Sequence, residues 1–394
     1  MKITVPTIDF GTSKIVTMVA QSNGERCDIV GSGAVPYSGY LQDGWNNPDE
    51  IRDVIRTAID QAQKTGNCRI HELNVGVPGM FTRVIVKEVH VSLTGPDPHV
   101  TAQDVRACFK LAEESGGDRI IHSAPAWFRV DDGKKTLSPV GIKGRELSAM
   151  IALVTADKYF IDDITYRLRD MDIEPREFYS TVAGEATYAL SQDERDKTAM
   201  LIDIGYLCTD VMVMEGDALI FHKCLDIGGG HISADIAEQL NIPFPFVEEK
   251  IKQTYSFNST SQDETYVIPA TEDEPARTVR RDEVTPIIEA KVEEIAEAIN
   301  KALEEGGVKL GKWSNVYLTG GGLILNKGGK DFLAGKLHRI IREAQRTNNK
   351  MTSHVFSSAV GLTILVVTTQ EEQKAPEGGA KGLFSRAFRW LMGY

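Results

Sequence analysis

The sequence lacks any run of about 20 apolar residues, the length that a transmembrane helix requires. Its first residues also lack the basic start and apolar segment of a secretory signal. Positive charge is in deficit, because 44 Lys and Arg residues face 56 Asp and Glu residues in a chain of 394. We therefore expect a protein that is neither exported nor membrane-spanning. Nucleic acid is disfavoured as a partner, since phosphate binding depends on a basic surface.

Cysteine is scarce and dispersed. The five cysteines show no close pair of the kind that zinc sites and redox motifs use, which predicts reduced thiols in a cytosol. They are Cys27, Cys68, Cys108, Cys208 and Cys224.

What the chain does have is length and apolar content: 42% of its residues are hydrophobic. A chain of this size predicts two or more domains, because single cores stop growing well before this length.

Two predicted β-hairpins each place an acidic residue at a strand end, followed by a glycine turn. The first contains Asp9 and Gly11, and the second contains Asp203 and Gly205. Backbone amides in such turns can cradle phosphate oxygens. The two carboxylates would hold a hydrated Mg²⁺, which prefers oxygen ligands. The predicted phosphate-binding residues are Gly11, Thr12, Ser13, Lys14, Gly205, Tyr206 and Thr209. Taken singly, each loop is equally compatible with an ordinary tight turn.

Two further glycine clusters follow along the chain. Asp226 to His231 opens a predicted helix, and Leu318 to Gly322 follows an apolar strand, where the backbone can closely approach a flat ring. The order of these loops resembles that of the actin, heat-shock chaperone and sugar kinase superfamily. Within it, the chain is similar to the FtsA family of bacterial cell-division proteins over almost its whole length. The segments that carry the resemblance are Ile8 to Lys14, His122 to Pro125 with Phe128 and Asp131, Pro139 to Gly144, Ala183 to Ala186, Glu249 to Lys252 and Leu318 to Gly322.

The resemblance implies an α/β, actin-like two-lobed fold. It would have duplicated nucleotide-binding halves, a small α/β subdomain inserted in the first half, and a C-terminal amphipathic helix. The expected boundaries are 1–82 for the first half of the lobe 1 core, 83–155 for the insert, 156–197 for the return of lobe 1, 198–232 for the lobe 2 core, 233–307 for its outer subdomain, 308–369 for the lobe 2 core and return helix, 370–380 for a flexible linker and 381–394 for the amphipathic helix.

ATP and Mg²⁺ are the cofactors that the resemblance implies. The adenosine contacts would come from Gly229, Glu249, Lys252, Gly320, Gly321 and Gly322. The second phosphate loop departs from the family pattern, because Tyr206, Leu207 and Cys208 replace small residues. A bulky Tyr206 would crowd the terminal phosphates, so we expect ATP binding with slow or absent hydrolysis. No catalytic residue is assigned, since none can be named that positions the attacking water.

The last residues predict a membrane-surface helix. They follow the polar segment from Gln370 to Ala380, which is rich in Glu, Gly and Pro and predicts a linker. The apolar face and basic residues of the helix are typical of helices that lie in the bilayer interface. The membrane-contacting residues are Leu383, Phe384, Arg386, Phe388, Arg389, Trp390 and Leu391. The alternative is a last helix that folds back on the core. One short helix binds marginally, so stable attachment would require several copies side by side.

The predicted function is a filament-forming adaptor on the cytoplasmic face of the cell membrane at the division site. In the FtsA family the outer subdomain receives the C-terminal peptide of the tubulin-like protein FtsZ. Here Arg280, Arg281 and Lys291 would contact that peptide, although each is equally compatible with a solvated helix face. Other expected partners are further copies of the chain, anionic lipids and other division proteins. The alternatives are a pilus-assembly platform protein of the same fold and a small-molecule kinase of the superfamily.

Overall fold

The computed structural model describes residues 3–24, 26–41, 44–117, 119–259, 264–270, 275–311, 314–344 and 353–374, with side chains up to residue 371. These residues form two compact units. The first takes its residues from Met1–Met200, Met212–His222 and Gln345–Tyr394. The second takes its residues from Leu201–Val211 and Lys223–Ala344.

Strands and helices alternate along the described chain. The strands are β1 (Ile3–Phe10), β2 (Lys14–Ser22), β3 (Cys27–Pro36), β4 (Tyr40–Leu41), β5 (Gly44–Trp45), β6 (Glu72–Val77), β7 (Thr82–Ser92), β8 (Ile120–Val130), β9 (Glu146–Ala156), β10 (Glu174–Ser180), β11 (Ala199–Ile204), β12 (Thr209–Glu215), β13 (Ala218–Leu225), β14 (Thr265–Ile268), β15 (Arg277–Arg280), β16 (Asn315–Thr319) and β17 (Ile341–Glu343). The helices are α1 (Ile51–Gly66), α2 (Ala102–Glu114), α3 (Lys158–Arg169), α4 (Thr181–Ala189), α5 (Gln192–Arg195), α6 (Gly229–Gln239), α7 (Phe244–Phe246), α8 (Arg281–Glu305), α9 (Gly329–Leu337) and α10 (Ser357–Lys374).

The first unit is built on a five-stranded sheet with the order β10-β6-β1-β2-β3. β1 and β2 form the predicted antiparallel hairpin, in which Asp9 is opposite Val16 and Phe10 is opposite Ile15. Helix α1 buries one face against the sheet, with Ile51, Ile55, Ala58, Ile59 and Ala62 at helical spacing. The close approach depends on glycine in β3, because a Cβ on Gly33 would lie 2.1 Å from the Ala58 carbonyl oxygen. This packing fixes the hairpin that carries Asp9.

The inserted segment forms its own antiparallel sheet with the order β7-β9-β8. Helix α2 begins after Thr101, because Thr101 and Asp104 form a reciprocal capping box that satisfies backbone N–H groups at the helix start. A separate apolar cluster joins α2 to the sheet and includes Cys108, Phe128, Leu147 and Leu153. The insert therefore has a core of its own.

The second five-stranded sheet has the order β13-β12-β11-β16-β17. Strands β11 and β16 carry the loops that begin at Asp203 and Gly320, and they are neighbours in the sheet. Within the second unit, the expected outer subdomain, residues 233–307, contains the β14–β15 hairpin besides its helices. Tyr266 and Ile268 of β14 point into the interior. The surrounding polar residues hid this short alternation in the sequence.

Helix α10 is longer than the sequence predicted. It continues to Lys374, so residues 370–374 of the expected linker are helical. Gln370 is buried and donates to the Asn74 side chain, while Glu371 accepts a hydrogen bond from Ser22. Polar composition suggested a linker, but these contacts with β2 and β6 extend the helix. No helix among the residues described above has the length and apolar character needed to cross a membrane.

Candidate functional site

Three glycine loops of the second unit converge on one point. A Cβ on Gly229 would lie 2.4 Å from the Gly322 Cα, and a Cβ on Gly322 would lie 2.4 Å from the Gly205 carbonyl oxygen. A Cβ on Gly228 would lie 2.9 Å from that same oxygen. Only glycine permits backbones to approach so closely. The loops after β11, before α6 and after β16 thus pack directly on one another, backbone against backbone.

Hydrogen bonds lock these loops together. Gly229 N donates to Gly205 O at 2.9 Å, Gly230 N donates to Tyr206 O at 2.7 Å, and Gly322 N donates to Ile204 O at 2.7 Å. The start of a helix commonly offers such N–H groups to a phosphate. Here the first N–H groups of α6 are already used by the loop. The N–H groups of Gly229 and Gly230 are therefore already paired within the protein and are not available to a phosphate at the α6 terminus.

The carboxylate of Asp203 lies directly against the loop after β16. Gly320 has φ +86°, a left-handed conformation, and a Cβ there would lie 2.0 Å from Asp203 Oδ1. Thr209, the other polar residue of the predicted phosphate loop, is buried and its hydroxyl donates to Ile227 O at 2.7 Å. The structure thus brings Asp203, predicted as a Mg²⁺ partner, next to Gly320, predicted as an adenosine contact, whereas the Thr209 hydroxyl proton is donated within the protein.

Tyr206 covers the start of α6. A Cβ on Gly230 would lie 3.0 Å and 3.1 Å from two atoms of the Tyr206 ring. Lys252 Nζ lies 5.8 Å from the ring centroid, within the range of a cation–π contact. Burial, and the charge of Glu248, raise the pKa of the Tyr206 hydroxyl, which keeps it neutral. The ring occupies the space beside the loops where phosphates were expected.

Lys252 lies in a short π-helix, Val247–Lys252, a rare conformation that is frequent at functional sites. Its side chain is buried and its Nζ donates to Glu248 Oε1 at 3.2 Å. Ser233 of α6 donates to the other Glu248 oxygen, and burial lowers the pKa of Lys252. Glu249 is exposed. Sequence reasoning named Glu249 and missed Glu248, which its spacing of four residues from Lys252 could have indicated.

The first unit contains the other predicted phosphate loop. Asp9 is 3% exposed, and burial raises the pKa of its carboxyl, although Ser358 donates to Oδ2 at 2.6 Å and the charge of Lys14 opposes the rise. Gly11 N donates to Lys14 O at 3.1 Å and closes the turn. A bound divalent cation would favour the ionised form of Asp9, so the residue fits the predicted role as a Mg²⁺ partner through water. Lys14 Nζ lies 5.4 Å from the Phe356 ring centroid.

Tyr37, which follows β3, stabilises the turn of the first loop. Its hydroxyl donates to Gly11 O at 2.7 Å and its N–H donates to Ser13 O at 3.2 Å. Thr12 is buried. Neither Tyr37 nor Ser358 was singled out from the sequence, since both lie far from the glycine turn along the chain.

The residues predicted to bind a peptide have different environments. Arg281 is buried, stacks 4.3 Å from the Tyr255 ring centroid and donates to Ser256 O at 2.6 Å. Lys291 pairs with Asp235 at 2.9 Å and with Glu294. Arg280 is exposed and pairs with Asp282. Arg281 and Lys291 thus hold α8 in place, which leaves Arg280 as the accessible cation of the three.

The predicted membrane helix lies outside the described residues. This applies to Leu383, Phe384, Arg386, Phe388, Arg389, Trp390 and Leu391. Their role therefore rests on sequence pattern alone.

The chain is similar to known proteins of one family. Residues 200–361 match the family model described as cell division protein FtsA, and residues 79–155 match the SHS2 domain inserted in FtsA. The cell division protein FtsA of Pseudomonas aeruginosa is 24% identical, with 98% of this chain and 97% of that protein covered. FtsA of Bacillus subtilis is 26% identical, with 76% of this chain and 70% of that protein covered.

Solved structures share the fold. The PilM-PilN type IV pilus biogenesis complex gives a TM-score of 0.62 at 17% identity, covering 93% of this chain and 99% of the other. MreB5 of Spiroplasma citri bound to AMPPNP gives 0.56 at 11% identity, covering 94% and 98%. These likenesses, together with the matched insert, confirm the predicted actin-like α/β fold with an inserted subdomain.

Proposed function

Because the chain belongs to the FtsA family of cell division proteins and has an actin-like fold, we propose that it binds Mg-ATP, assembles into filaments on the cytoplasmic face of the cell membrane, and tethers the FtsZ ring there. The nucleotide would set the state of assembly. The tail would supply membrane contact, and the second unit would supply the contact with FtsZ. Other division proteins would join at the same site in the cell.

The observation that carries this proposal is the convergence of the glycine loops around Gly205, Gly229 and Gly322. Side-chain-free backbone is what allows a planar base and its ribose to approach a protein surface closely. The residues that would hold adenosine are Gly229, Gly320, Gly321, Gly322, Lys252 and Glu248, with Glu249 at the exposed edge. Uncharged backbone of this kind suits the adenosine part of ATP, while the charged phosphates would bind at the other loops.

The two acidic hairpin loops would bind the phosphates and Mg²⁺. Gly11, Thr12, Ser13 and Lys14 would contribute backbone amides and one positive charge. Gly205 and Tyr206 would line the second loop with Thr209 behind it, and Asp9 and Asp203 would bind Mg²⁺ through its waters. We expect binding to be stronger than turnover, because the Tyr206 ring takes up space beside the second loop.

Membrane contact would come from the terminal helix, with Leu383, Phe384, Phe388, Trp390 and Leu391 in the bilayer interface. Arg386 and Arg389 would attract anionic lipids. A single helix of this length binds the membrane weakly, so a filament that carries many such helices would bind more tightly. This arrangement separates the proposal from a pilus-assembly platform, which shares the fold.

The FtsZ peptide would dock on the outer part of the second unit, near α8. Arg280 is the exposed cation there and would pair with an acidic peptide after leaving Asp282. Arg281 and Lys291 would support the surface from below, because both are held in ion pairs within the unit. Exposed pairs such as Arg280 with Asp282 are weak and exchange easily.

The experiment that tests the nucleotide site compares Lys252→Met with Lys250→Met in a titration of the full chain with a fluorescent ATP analogue and Mg²⁺. Lys252 is buried beside Tyr206, whereas Lys250 is an exposed residue two positions away. We expect Lys252→Met to weaken binding by about tenfold, which corresponds to about 1.4 kcal/mol. Lys250→Met should bind like the unchanged chain. Equal affinities for all three would place the nucleotide elsewhere.

A further inference from the structure

Two cysteines and a carboxylate at two neighbouring strands meet in the second unit. Cys208 precedes β12, Asp210 is the second residue of β12, and Cys224 lies near the end of β13. Their ligand atoms all lie within 4.8 Å of one another. We propose that these three side chains form a site for a zinc-class divalent cation, with a fourth position open to water.

The geometry is close to what such an ion needs. Zinc binds thiolate sulfur at about 2.3 Å and carboxylate oxygen at about 2.0–2.2 Å, so two sulfurs on one tetrahedral ion lie about 3.8 Å apart. Because the sulfurs of Cys208 and Cys224 lie within 4.8 Å of each other, they need to approach by no more than about 1 Å to reach this value. The strands therefore hold the donors together before any ion arrives.

The donor set selects the kind of metal. Two thiolates are soft ligands, which favour zinc over Mg²⁺ or Ca²⁺, the ions that prefer oxygen donors only. Three protein ligands with an open fourth position are the pattern of zinc sites that keep a bound water. Asp210 and Cys224 are partly buried residues, and the proposal assigns the fourth position to a water molecule. Two thiolates and one carboxylate would leave a net charge of minus one around a divalent cation.

The site is separate from the proposed nucleotide contacts yet mechanically linked to them. The Cys208 carbonyl accepts a hydrogen bond from Gly205 N at 2.9 Å, which closes the loop that carries Tyr206. A Cβ on Gly228 would lie 2.9 Å from Cys208 N, so the loop before α6 packs on the same residue. An ion that fixes Cys208 would therefore stiffen both loops.

The test is a titration of the reduced full chain with Co²⁺, a spectroscopic substitute for zinc, followed by competition with Zn²⁺. We expect thiolate-to-cobalt absorption that saturates at one ion per chain and disappears when Zn²⁺ is added. Cys208→Ser and Cys224→Ser should each abolish this absorption, and Asp210→Asn should weaken binding. Cys68→Ser, which alters a partly buried cysteine in the first unit, should leave it unchanged.

A second measurement needs no variant. Zn²⁺ should slow alkylation of Cys208 and Cys224 several-fold in the unchanged chain, as read by peptide mass spectrometry, while Cys68 reacts at the same rate with and without the metal. Absence of thiolate absorption, absorption that survives in both serine variants, or alkylation that is indifferent to Zn²⁺ would overturn the proposal. So would formation of a Cys208–Cys224 disulfide by a chain that binds no Co²⁺ when reduced. None of these outcomes depends on ATP binding.

Discussion

The ring of Tyr206 lies on Gly230, so close that a methyl group on Gly230 would stand 3.0 Å from a ring carbon. Lys252 Nζ lies 5.8 Å from the centroid of the same ring. A residue of the predicted second phosphate loop thereby covers the first turn of α6, which carries the predicted adenosine contact Gly229. If the proposed nucleotide site is right, Tyr206 limits how far the phosphates can extend.

Removing that ring should tighten nucleotide binding. We predict that Tyr206→Ala increases the affinity of the full chain for Mg-ATP by about threefold or more, roughly 0.7 kcal/mol, because the vacated space admits the terminal phosphate. Tyr206→Phe keeps the ring and should leave the affinity unchanged. Isothermal titration with ATP and ADP measures both. A weaker complex with Tyr206→Ala would mean that the ring contacts the nucleotide favourably.

The contact between Gly229 and Gly322 should tolerate no side chain. Gly229→Ala forces a Cβ to within 2.4 Å of backbone, and overpacking of this kind costs about 1–3 kcal/mol. Gly335 is a matched control, because it is an exposed helical glycine with nothing within 4 Å of an added Cβ. Gly335→Ala should stabilise by about 0.5–1 kcal/mol. Urea unfolding curves compare the two, and equal effects would contradict the close approach.

The buried carboxylate of Asp9 should lower the free energy of unfolding, and bound Mg-ATP should offset this loss. Burial raises its pKa, so the folded state penalises the carboxylate. The penalty is present above the folded pKa and vanishes below the unfolded value of about 3.9. Without nucleotide, Asp9→Asn should therefore increase the free energy of unfolding at pH 7, and the gain should disappear as the pH falls below about 4.

The control for Asp9 is Asp162→Asn, which removes one exposed carboxylate from α3. It should change stability little at either pH, because exposed charges contribute little. Thermal unfolding at pH 7 and pH 4 reports both variants. With Mg-ATP the order should reverse, since Asp9→Asn loses a Mg²⁺ partner. A variant that is less stable than the unchanged chain at pH 7 without nucleotide would contradict this account.

The sequence predicted what depends on local pattern. The β1–β2 hairpin, strand β11 and the capping box at Thr101 follow from alternation, glycine turns and side-chain caps, all of which are readable over a few residues. The loops were recognisable as backbone sites for the same reason. Their convergence was implied by family resemblance, because no local rule specifies which loops meet.

What the sequence could not indicate depends on contacts between distant residues. Polar Gln370 looked like linker, yet its hydrogen bond with Asn74 keeps it in α10. Cys208 and Cys224 looked isolated, yet β12 and β13 bring their sulfurs together. Arg281 looked like a surface cation, yet Tyr255 and Glu264 bury it. In each case the partner lies far away along the chain, where periodicity carries no information.

The membrane-tethering part of the proposed function depends most directly on the terminal helix, and co-sedimentation with anionic liposomes tests it. The full chain is compared with a chain that ends before Lys381 and with Phe388→Glu, each with and without Mg-ATP. We predict that only the unchanged full chain pellets with the liposomes, whereas the shortened chain and Phe388→Glu stay in solution. Mg-ATP should increase the pelleted fraction of the unchanged chain, because assembly adds membrane contacts. If the shortened chain pellets equally, or if the full chain stays in solution, the membrane-tether account is contradicted.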